Sequence, residues 1–467
     1  MGTISSLLNL AQEALNADQA GLNVTANNVA NQSTVGYTRE VVNDTAQDSI
    51  TINGVSYGDG VVAGSVTSVR DRVLEQRVEQ QTQVQSQSAT LQSALEQVES
   101  IFGITDSTTS SSLTQLGTTV DALFNSFTAL ASDPSGSSTR QSVLTAASNL
   151  ASTLNQTSTQ ITETTSSLQT SANQIVGEIN PLLTQIASLN EKIATTSPNS
   201  DAGVLEDQRQ AAIAQLSTYV GLDQITTSLN GIDLTTSNGT PLVSSGVAYP
   251  LSTGVVSGAL QIYGGAGTNV TSGLTGGSLG GTLAALTTDI PTITNSIDTL
   301  AYSIATAVNT QNSAGLDATG AAGGDLFTIG TSSTGAAATI ALATNDPNAI
   351  AAAGPGEGST GNTNANALAA LATGTIVAGE TASDFVSNTL ATLGDAAQTA
   401  TNDATVQQAS LTQLTTQRDA LSAVSLDTEA SNLTEYQRSY QAASQVFSIV
   451  DTLLASAINL GVETAVS

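Results

Sequence analysis

The amino-acid sequence predicts a mainly α-helical protein with a small β part. Apolar residues recur at steps of three and four along several long stretches, and the clearest of these lie at the two ends of the chain. Only the segment from 221 to 264 changes to short β-like runs. We therefore predict an inner coiled-coil domain of paired terminal helices and an outer bundle of long helices that carries a small antiparallel sheet.

The N-terminal helix is predicted from one apolar stripe in the first thirty residues. Its members are spaced by three, four or seven positions and comprise Ile4, Leu8, Ala11, Leu15, Leu22 and Val29. This spacing places them on one face of an amphipathic helix. Asp18 and Thr25 fall on the same face, so the helix would bury little apolar surface alone. It therefore needs a partner.

The C-terminal helix carries the most regular stripe in the sequence. Its members alternate between steps of three and four and comprise Leu426, Leu433, Tyr436, Tyr440, Ala443, Phe447, Val450, Leu454 and Ala457. A stripe of this kind packs against another helix. Two complementary stripes at opposite ends of the chain predict that the terminal helices meet.

The interior is predicted to contain four more helical stretches, at 84–102, 113–130, 161–193 and 384–421. Pro181 lies inside the third, where proline removes a backbone hydrogen bond and clashes with the preceding turn. We expect it to kink that helix or to divide it in two. The domain organisation that follows is an inner domain of residues 1–70 with 400–467 and an outer α/β domain of residues 71–399.

The predicted sheet uses β-like runs at 232–236, 242–247 and 255–263, with a turn signal at 237–239. The stretch 315–361 is rich in Gly, Ala, Thr and Ser, which indicates loops with one or two weak strands.

Composition excludes several functions. Nine basic residues against 38 acidic ones give a net charge of -29, which argues against nucleic-acid binding. The absence of Cys and His removes thiolate and imidazole chemistry, and residues 317–325 offer too few oxygens for a calcium loop. We predict no catalytic residue, no metal, no cofactor and no membrane insertion. Since no basic residue precedes Arg39, we expect no cleaved secretory signal.

A family resemblance enters at NVTANNVANQSTVGYTR, residues 23–39, which resembles the axial proteins of the bacterial flagellum. The asparagines suit helix ends and turns, the glycine permits a tight bend, and the tyrosine offers an anchor. The residues that carry the motif are Asn27, Asn28, Asn31, Gly36, Tyr37, Thr38 and Arg39. The C-terminal LDTEASNLTEYQRSYQAASQVFSIVDTLLASAINL, residues 426–460, resembles the matching terminal helix of the same group.

The interior resembles the hook-associated branch of these axial proteins, which joins hook to filament. Four segments carry this likeness: residues 186–193, 205–222, 277–286 and 307–327. Many members of that branch have a large outer β-domain at the position of residues 330–360. Only a short stretch of small residues stands there in this chain, so we expect that domain to be reduced or absent.

The resemblance implies a structural subunit, not an enzyme, that polymerises on the distal hook and connects it to the filament. It implies four partners: further copies of the chain, the hook protein, the next hook-associated protein, and an export chaperone on the C-terminal helix. Export by the flagellar type III route and an extracellular location are also implied. The expected assembly interface consists of Ile4, Leu8, Leu15, Leu22, Val29, Leu426, Leu433, Tyr436, Tyr440, Ala443, Phe447, Val450 and Leu454.

Two alternatives stay open at this point. One is another axial component, hook or distal rod, whose interior is richer in β-structure. The other is a secreted hydrolase that uses two carboxylates and has flagellar-like ends. The balance of helix and strand between Arg70 and Asp384 separates the first from the main hypothesis, and a deep cleft with two facing carboxylates would support the second.

Overall fold

The computed structural model describes residues 2–34, 36–52, 54–103, 115–197 and 201–463, and they form a mainly helical protein with small antiparallel sheets. The fold-class prediction is confirmed. The helices are α1 Gly2–Asn31, α2 Arg72–Ile101, α3 Gln115–Ser132, α4 Ser137–Thr196, α5 Val204–Tyr219, α6 Gly277–Ala284, α7 Ile290–Ala314, α8 Ala336–Thr339, α9 Thr363–Ala370, α10 Ala382–Ser422 and α11 Leu426–Glu463. A π-helical turn, Ala285–Asp289, joins α6 to α7.

The strands fall into three groups. The first is an irregular hairpin, in which β1 pairs with β6, β2 with β5 and β3 with β4, all antiparallel. The second is a four-stranded antiparallel sheet of order β10-β9-β8-β7 beside the hairpin β11-β12, and the third is the pair β13-β14. Their bounds are β1 Glu40–Val42, β2 Thr45–Ala46, β3 Ile50–Ile52, β4 Val55–Tyr57, β5 Val61–Val62, β6 Val66–Ser68, β7 Asp223–Thr226, β8 Ile232–Thr235, β9 Pro241–Ser244, β10 Val247–Ala248, β11 Ser252–Val256, β12 Ala259–Tyr263, β13 Phe327–Thr328 and β14 Ala341–Leu342.

Two apolar cores hold the body between α2 and α10. The larger is built mainly by α2, α3, α4, α7 and α10 around Phe127 and Leu150, both fully buried. The smaller joins the far half of α4 to α5, α6 and the four-stranded sheet, around Ile186 and Ile213. Helix α4 has 60 residues and contributes to both cores. It therefore forms the spine of the body.

Some predictions of the interior need correction. Helix α4 begins at Ser137, well before the predicted start, and it runs through Pro181 without dividing. The buried side chains Ile179, Leu182 and Leu183 fix the helix on both sides of the proline. Of the predicted stretch 113–130, residues 113 and 114 lie outside the described part of the chain, and α3 begins at Gln115. The hairpin β1 to β6 has no counterpart in the prediction.

The domain boundary proposed at residue 400 stays a prediction. Helix α10 runs through that position as one element of 41 residues and packs along α2.

In residues 330–360 the structure contains the four-residue helix α8, the strand β14 and turns. This arrangement leaves no room for a large outer β-domain within that segment.

Candidate assembly interface

The terminal helices α1 and α11 lie against each other and run antiparallel. Two contacts fix their direction: Asn28, near the end of α1, meets Glu429 at the start of α11, and Gly21 lies against the ring of Tyr436 one to two turns further along. The chain between α1 and α11, which contains the body, therefore starts and finishes at the same end of this helix pair. The body is attached at that end.

The predicted interface residues fall into three classes of burial. Val450 is buried, with 5% of its surface exposed. Half-buried positions along the contact are Ile4, Leu8, Leu15, Leu22, Leu433, Tyr436, Ala443, Phe447 and Leu454. The side chains of Val29, Leu426 and Tyr440 are exposed. Leu426 opens α11 opposite the last turn of α1, so little of the partner helix is left to cover it.

The contact between α1 and α11 is closely packed at its centre and contains a buried carboxylate. Tyr436 leaves no space for a side chain at Gly21, because a Cβ there would lie 2.5 Å from the ring. Asp18 is buried in the contact, and one of its carboxylate oxygens has no hydrogen-bond partner. Burial raises the pKa of Asp18, while a hydrogen bond with Ser439 opposes the rise. The pair therefore contains a carboxyl that a well-packed coiled coil would exclude.

A second apolar face of α11 is uncovered. Val446, Ile449 and Leu453 follow at steps of three and four, and they are 45%, 61% and 54% exposed. They lie beside the stripe that faces α1. The apolar surface of α11 is thus wider than one partner helix can bury.

The family motif forms the polar junction between the helix pair and the body, with Asn28 at its centre. Asn28 is 1% exposed, and its amide uses all its hydrogen-bonding capacity. It donates to the Glu40 carbonyl at 2.9 Å and to Glu429 at 3.3 Å, and it accepts from the Glu40 N–H at 2.9 Å and the Tyr37 hydroxyl at 2.8 Å. Burial and nearby carboxylates raise the pKa of Tyr37. Tyr37 therefore acts as a neutral donor.

Arg39 joins three elements at this junction. Its Nε donates to Glu429 at 2.6 Å, its N–H donates to the Ser422 carbonyl at 3.0 Å, and its carbonyl accepts from Val69 at 2.8 Å. The start of α11, the end of α10 and the end of the irregular hairpin are therefore all held by one residue. Glu429 is 1% exposed, so loss of Arg39 would leave a buried carboxylate without its cation.

Thr38 connects the motif to the body. Its N–H donates to Asp207 at 3.1 Å, and Asp207 also accepts from Arg70. Arg70 donates to Glu206 at 2.7 Å, and Arg72 reaches the same carboxylate at 3.0 Å. The network runs from α1 through the motif to α5.

The remaining motif residues shape the loop. Gly36 has a φ of 81°, a conformation that favours glycine. Asn31 donates to Asn27 at 2.8 Å, and Asn27 donates to Glu40 at 3.3 Å. The sequence suggested that the asparagines end the helix, but Asn27 and Asn28 lie inside α1. Their side chains bind the returning chain instead of capping the helix.

Sequence reasoning missed Glu40, Arg70, Glu206, Asp207 and Glu429 as parts of this junction. One compositional signal was available. Of the nine basic residues, three bind carboxylates of this junction, namely Arg39, Arg70 and Arg72. Scarce cations in an acidic chain mark the places where buried carboxylates need partners.

A groove of about 640 Å³ lies beside this network, and its carboxylates bear on the hydrolase alternative. The groove lies between the motif loop, α2, α5 and the α10–α11 link, and its carboxylates are Glu75, Glu79 and Asp419. Glu75 and Glu79 come from successive turns of α2 and do not face each other across the groove. Asp419, on α10, is paired with its neighbour Arg418 at 2.7 Å. Glu79 accepts from Gln210 and Gln224, and Glu75 lies 3.6 Å from Arg70. Both are structural carboxyls of the body.

Burial, the main cause, raises the pKa of Glu75 to about 7 and that of Glu79 to about 8. The positive charge of Arg70, and to a smaller extent that of other arginines, opposes the rise in the pKa of Glu75, and the hydrogen bond from Gln224 opposes the rise in the pKa of Glu79.

Within the described ranges, no helix combines the length and apolar character that a membrane crossing requires.

Comparison with known proteins gives a consistent result. Three family models match the chain. The model described as "Flagellar hook-associated protein FlgK helical domain" matches residues 95–327. The models described as "Flagellar basal body rod FlgEFG protein C-terminal" and "Flagella basal body rod protein" match residues 417–460 and 8–38. The two rod matches fall on the terminal helices. The helical-domain match falls on the body.

Similar curated proteins carry the name flagellar hook-associated protein 1. The Bacillus subtilis protein is 30% identical over 97% of this chain and 97% of its own length. The Escherichia coli protein is 30% identical over 70% of this chain, and the match spans 60% of that protein's length. The flagellar hook junction protein FlgK from Burkholderia pseudomallei shares the fold, with a TM-score of 0.67, 19% identity, and coverage of 75% of this chain and all of that one.

Proposed function

Because the chain belongs to the flagellar hook-associated protein 1 family, we propose that it is a structural subunit that polymerises on the distal hook and connects it to the filament. This family is not an enzyme family, and the proposed chemistry is burial of apolar helix faces rather than bond making. The helical body also argues against a hook or distal rod protein, since helices dominate the described residues between Arg70 and Asp384.

One observation carries the proposal: α11 presents two apolar faces, and α1 covers only one. Val450 is 5% exposed on the covered face, whereas its neighbour Ile449 is 61% exposed on the other. Burying a side chain of this size contributes about 1.5–3 kcal/mol. Repeated in every subunit, that gain opposes the mutual repulsion of chains that each carry a net charge of -29.

The partners follow from the same surface. We propose that further copies of the chain cover the outer face of α11, and that the hook protein and the next hook-associated protein stack on the two open ends of the ring. Before assembly the face needs protection, and an export chaperone on the C-terminal helix would provide it. Export by the flagellar type III route places the chain outside the cell as part of the flagellum.

The test compares two adjacent positions of α11. Ile449→Asp places a charge on the outer face, and we expect cells that make this variant to release unpolymerised flagellin and to lack filaments. Ser448→Asp adds the same charge on a polar face of the same helix and should leave filaments normal. Circular dichroism of both purified variants should match the parent chain. Normal filaments in the Ile449→Asp strain would contradict the proposal.

A further inference from the structure

The tip of the irregular hairpin carries apolar side chains that the described part of this chain does not cover. Val55 and Tyr57 alternate on one face of β4 and are 52% and 51% exposed. The lower part of the hairpin packs on α1, where Gly60 lies against Leu10. A two-stranded hairpin is marginal in water without a packed face. The tip therefore lacks the surface that would stabilise it.

The same hairpin is acidic throughout. From residue 40 to residue 69 the chain contains four acidic residues and no basic one. Glu40 is buried at the base, whereas Asp44 and Asp48 are exposed and Asp59 is half-buried close to the tip. A surface that receives the tip must therefore combine apolar side chains with positive charge.

Such a surface lies on the outer face of the first half of α2. Val73, Arg77, Gln80 and Val84 follow at steps of four, three and four, so they form one stripe, and all four are exposed. Val73 is 63% exposed and Val84 is 42% exposed. Val84 is the first residue of the helical stretch 84–102 that the sequence predicted from its apolar spacing, yet the structure leaves its side chain exposed.

The stripe is also positive, which is unusual in this chain. Glu75 and Glu79 point into the body, so the exposed charges between residues 72 and 95 are those of Arg72 and Arg77. Arg72 pairs with Glu206, whereas Arg77 makes no ion pair with any described residue. The outer face of α11 is a poorer match, because α11 contains five carboxylates and one arginine.

We propose that the hairpin tip of one copy docks on the α2 stripe of a neighbouring copy. Val55 and Tyr57 pack against Val73, and the aspartates of the hairpin face Arg77, one turn further along α2. The inference rests on the proposed self-assembly and adds a second contact to it. Because the two surfaces differ, the contact is head-to-tail, and such contacts close into rings or continue as tubes.

Cysteine cross-linking tests the contact directly, since the chain contains no cysteine. A chain with both Tyr57→Cys and Val73→Cys, oxidised in isolated flagella, should give a ladder of covalent oligomers on a gel without reductant. A disulfide forms only where the two Cα atoms come within about 7 Å. Each single variant should give no ladder, and neither should the control pair Tyr57→Cys with Ile449→Cys.

Charge reversal provides an independent test. Arg77→Glu should lower the amount of chain retained in isolated flagella about tenfold, because it sets like charges against each other. Asp48→Arg with Asp59→Arg should restore retention in the Arg77→Glu background. Assembled flagella without the ladder, or with a ladder only in the Ile449→Cys control, would overturn the docking and leave the proposed function standing. Absence of the parent chain from flagella would overturn both.

Discussion

The body and the terminal helix pair are built from similar residues, but they differ in how completely a single chain buries their apolar side chains. In the body, Phe127, Leu150 and Ile186 are fully buried among side chains from several helices. In the terminal pair most stripe residues are half-buried, Asp18 lies within the contact, and Ile449 is open to solvent. A protein interior is closely packed when it is stable alone. The body is therefore complete in one chain, whereas the ends need neighbours.

The largest expected effect separates the two regions by stability. Phe127→Ala removes a fully buried ring from the larger core and should lower the free energy of unfolding of the monomer by about 3–5 kcal/mol. Phe447→Ala makes the same change in the terminal pair, where the ring is half-buried. It should leave the main urea transition of the monomer unchanged. Equal shifts in both variants would show that the ends and the body fold as one unit.

A smaller effect is expected inside the terminal pair. Gly21→Val places a side chain where the Tyr436 ring lies, and overpacking of this kind costs about 1–3 kcal/mol. The polymer should dissociate at a lower temperature, while the monomer should melt as the parent does. Ala26→Val, at an exposed position of the same helix, controls for the lower helix propensity of valine. If the two variants behave alike, the Tyr436 contact does not hold the pair together.

The smallest effect is a pH dependence that belongs to the body. Glu79 has a pKa raised by burial to about 8, so the folded state holds its proton more tightly than the unfolded state does. Its contribution to stability is full below the unfolded pKa, near 4.3, and is lost as the pH rises through about 8. Glu75 adds a loss of the same sign up to about pH 7.

Glu79→Gln should therefore reduce the loss of stability between pH 5 and pH 8.5, measured as the urea midpoint of the monomer. Glu96→Gln, at an exposed position of α2, should retain the parent profile. Identical pH profiles for the parent and Glu79→Gln would mean that Glu79 is ionised in the fold.

The sequence allowed prediction of those parts that depend on regular spacing. The two terminal stripes predicted the pairing of α1 with α11, and the change of composition after residue 221 predicted a small antiparallel sheet there. The runs 232–236 and 242–247 fall in that sheet, whereas 255–263 lies in the separate hairpin β11-β12 and strand β7 was not predicted. Each of these elements repeats a simple apolar period over enough residues to be recognised. The resemblance of the ends and the interior then indicated the family.

The polar junction and the irregular hairpin could not be predicted in the same way. Strands of two or three residues, such as β2 and β5, are too short to show alternation. Arg39 and Glu429 are 390 positions apart, and a single ion pair leaves no periodic trace in the sequence. Helix α4 also continues through Pro181 without dividing, and the buried side chains of Ile179, Leu182 and Leu183 stabilise it on both sides of the missing backbone hydrogen bond.

Amide hydrogen exchange on the purified monomer and on assembled flagella tests the central claim most directly. Two terminal segments, residues 2–34 and 426–463, are compared with residues 161–193 of α4. We expect rapid exchange of both ends in the monomer, slow exchange of the α4 segment, and protection of the ends only after assembly. Equally strong protection of all three segments in a verified monomer would contradict the account, because the terminal pair would then be complete without neighbours.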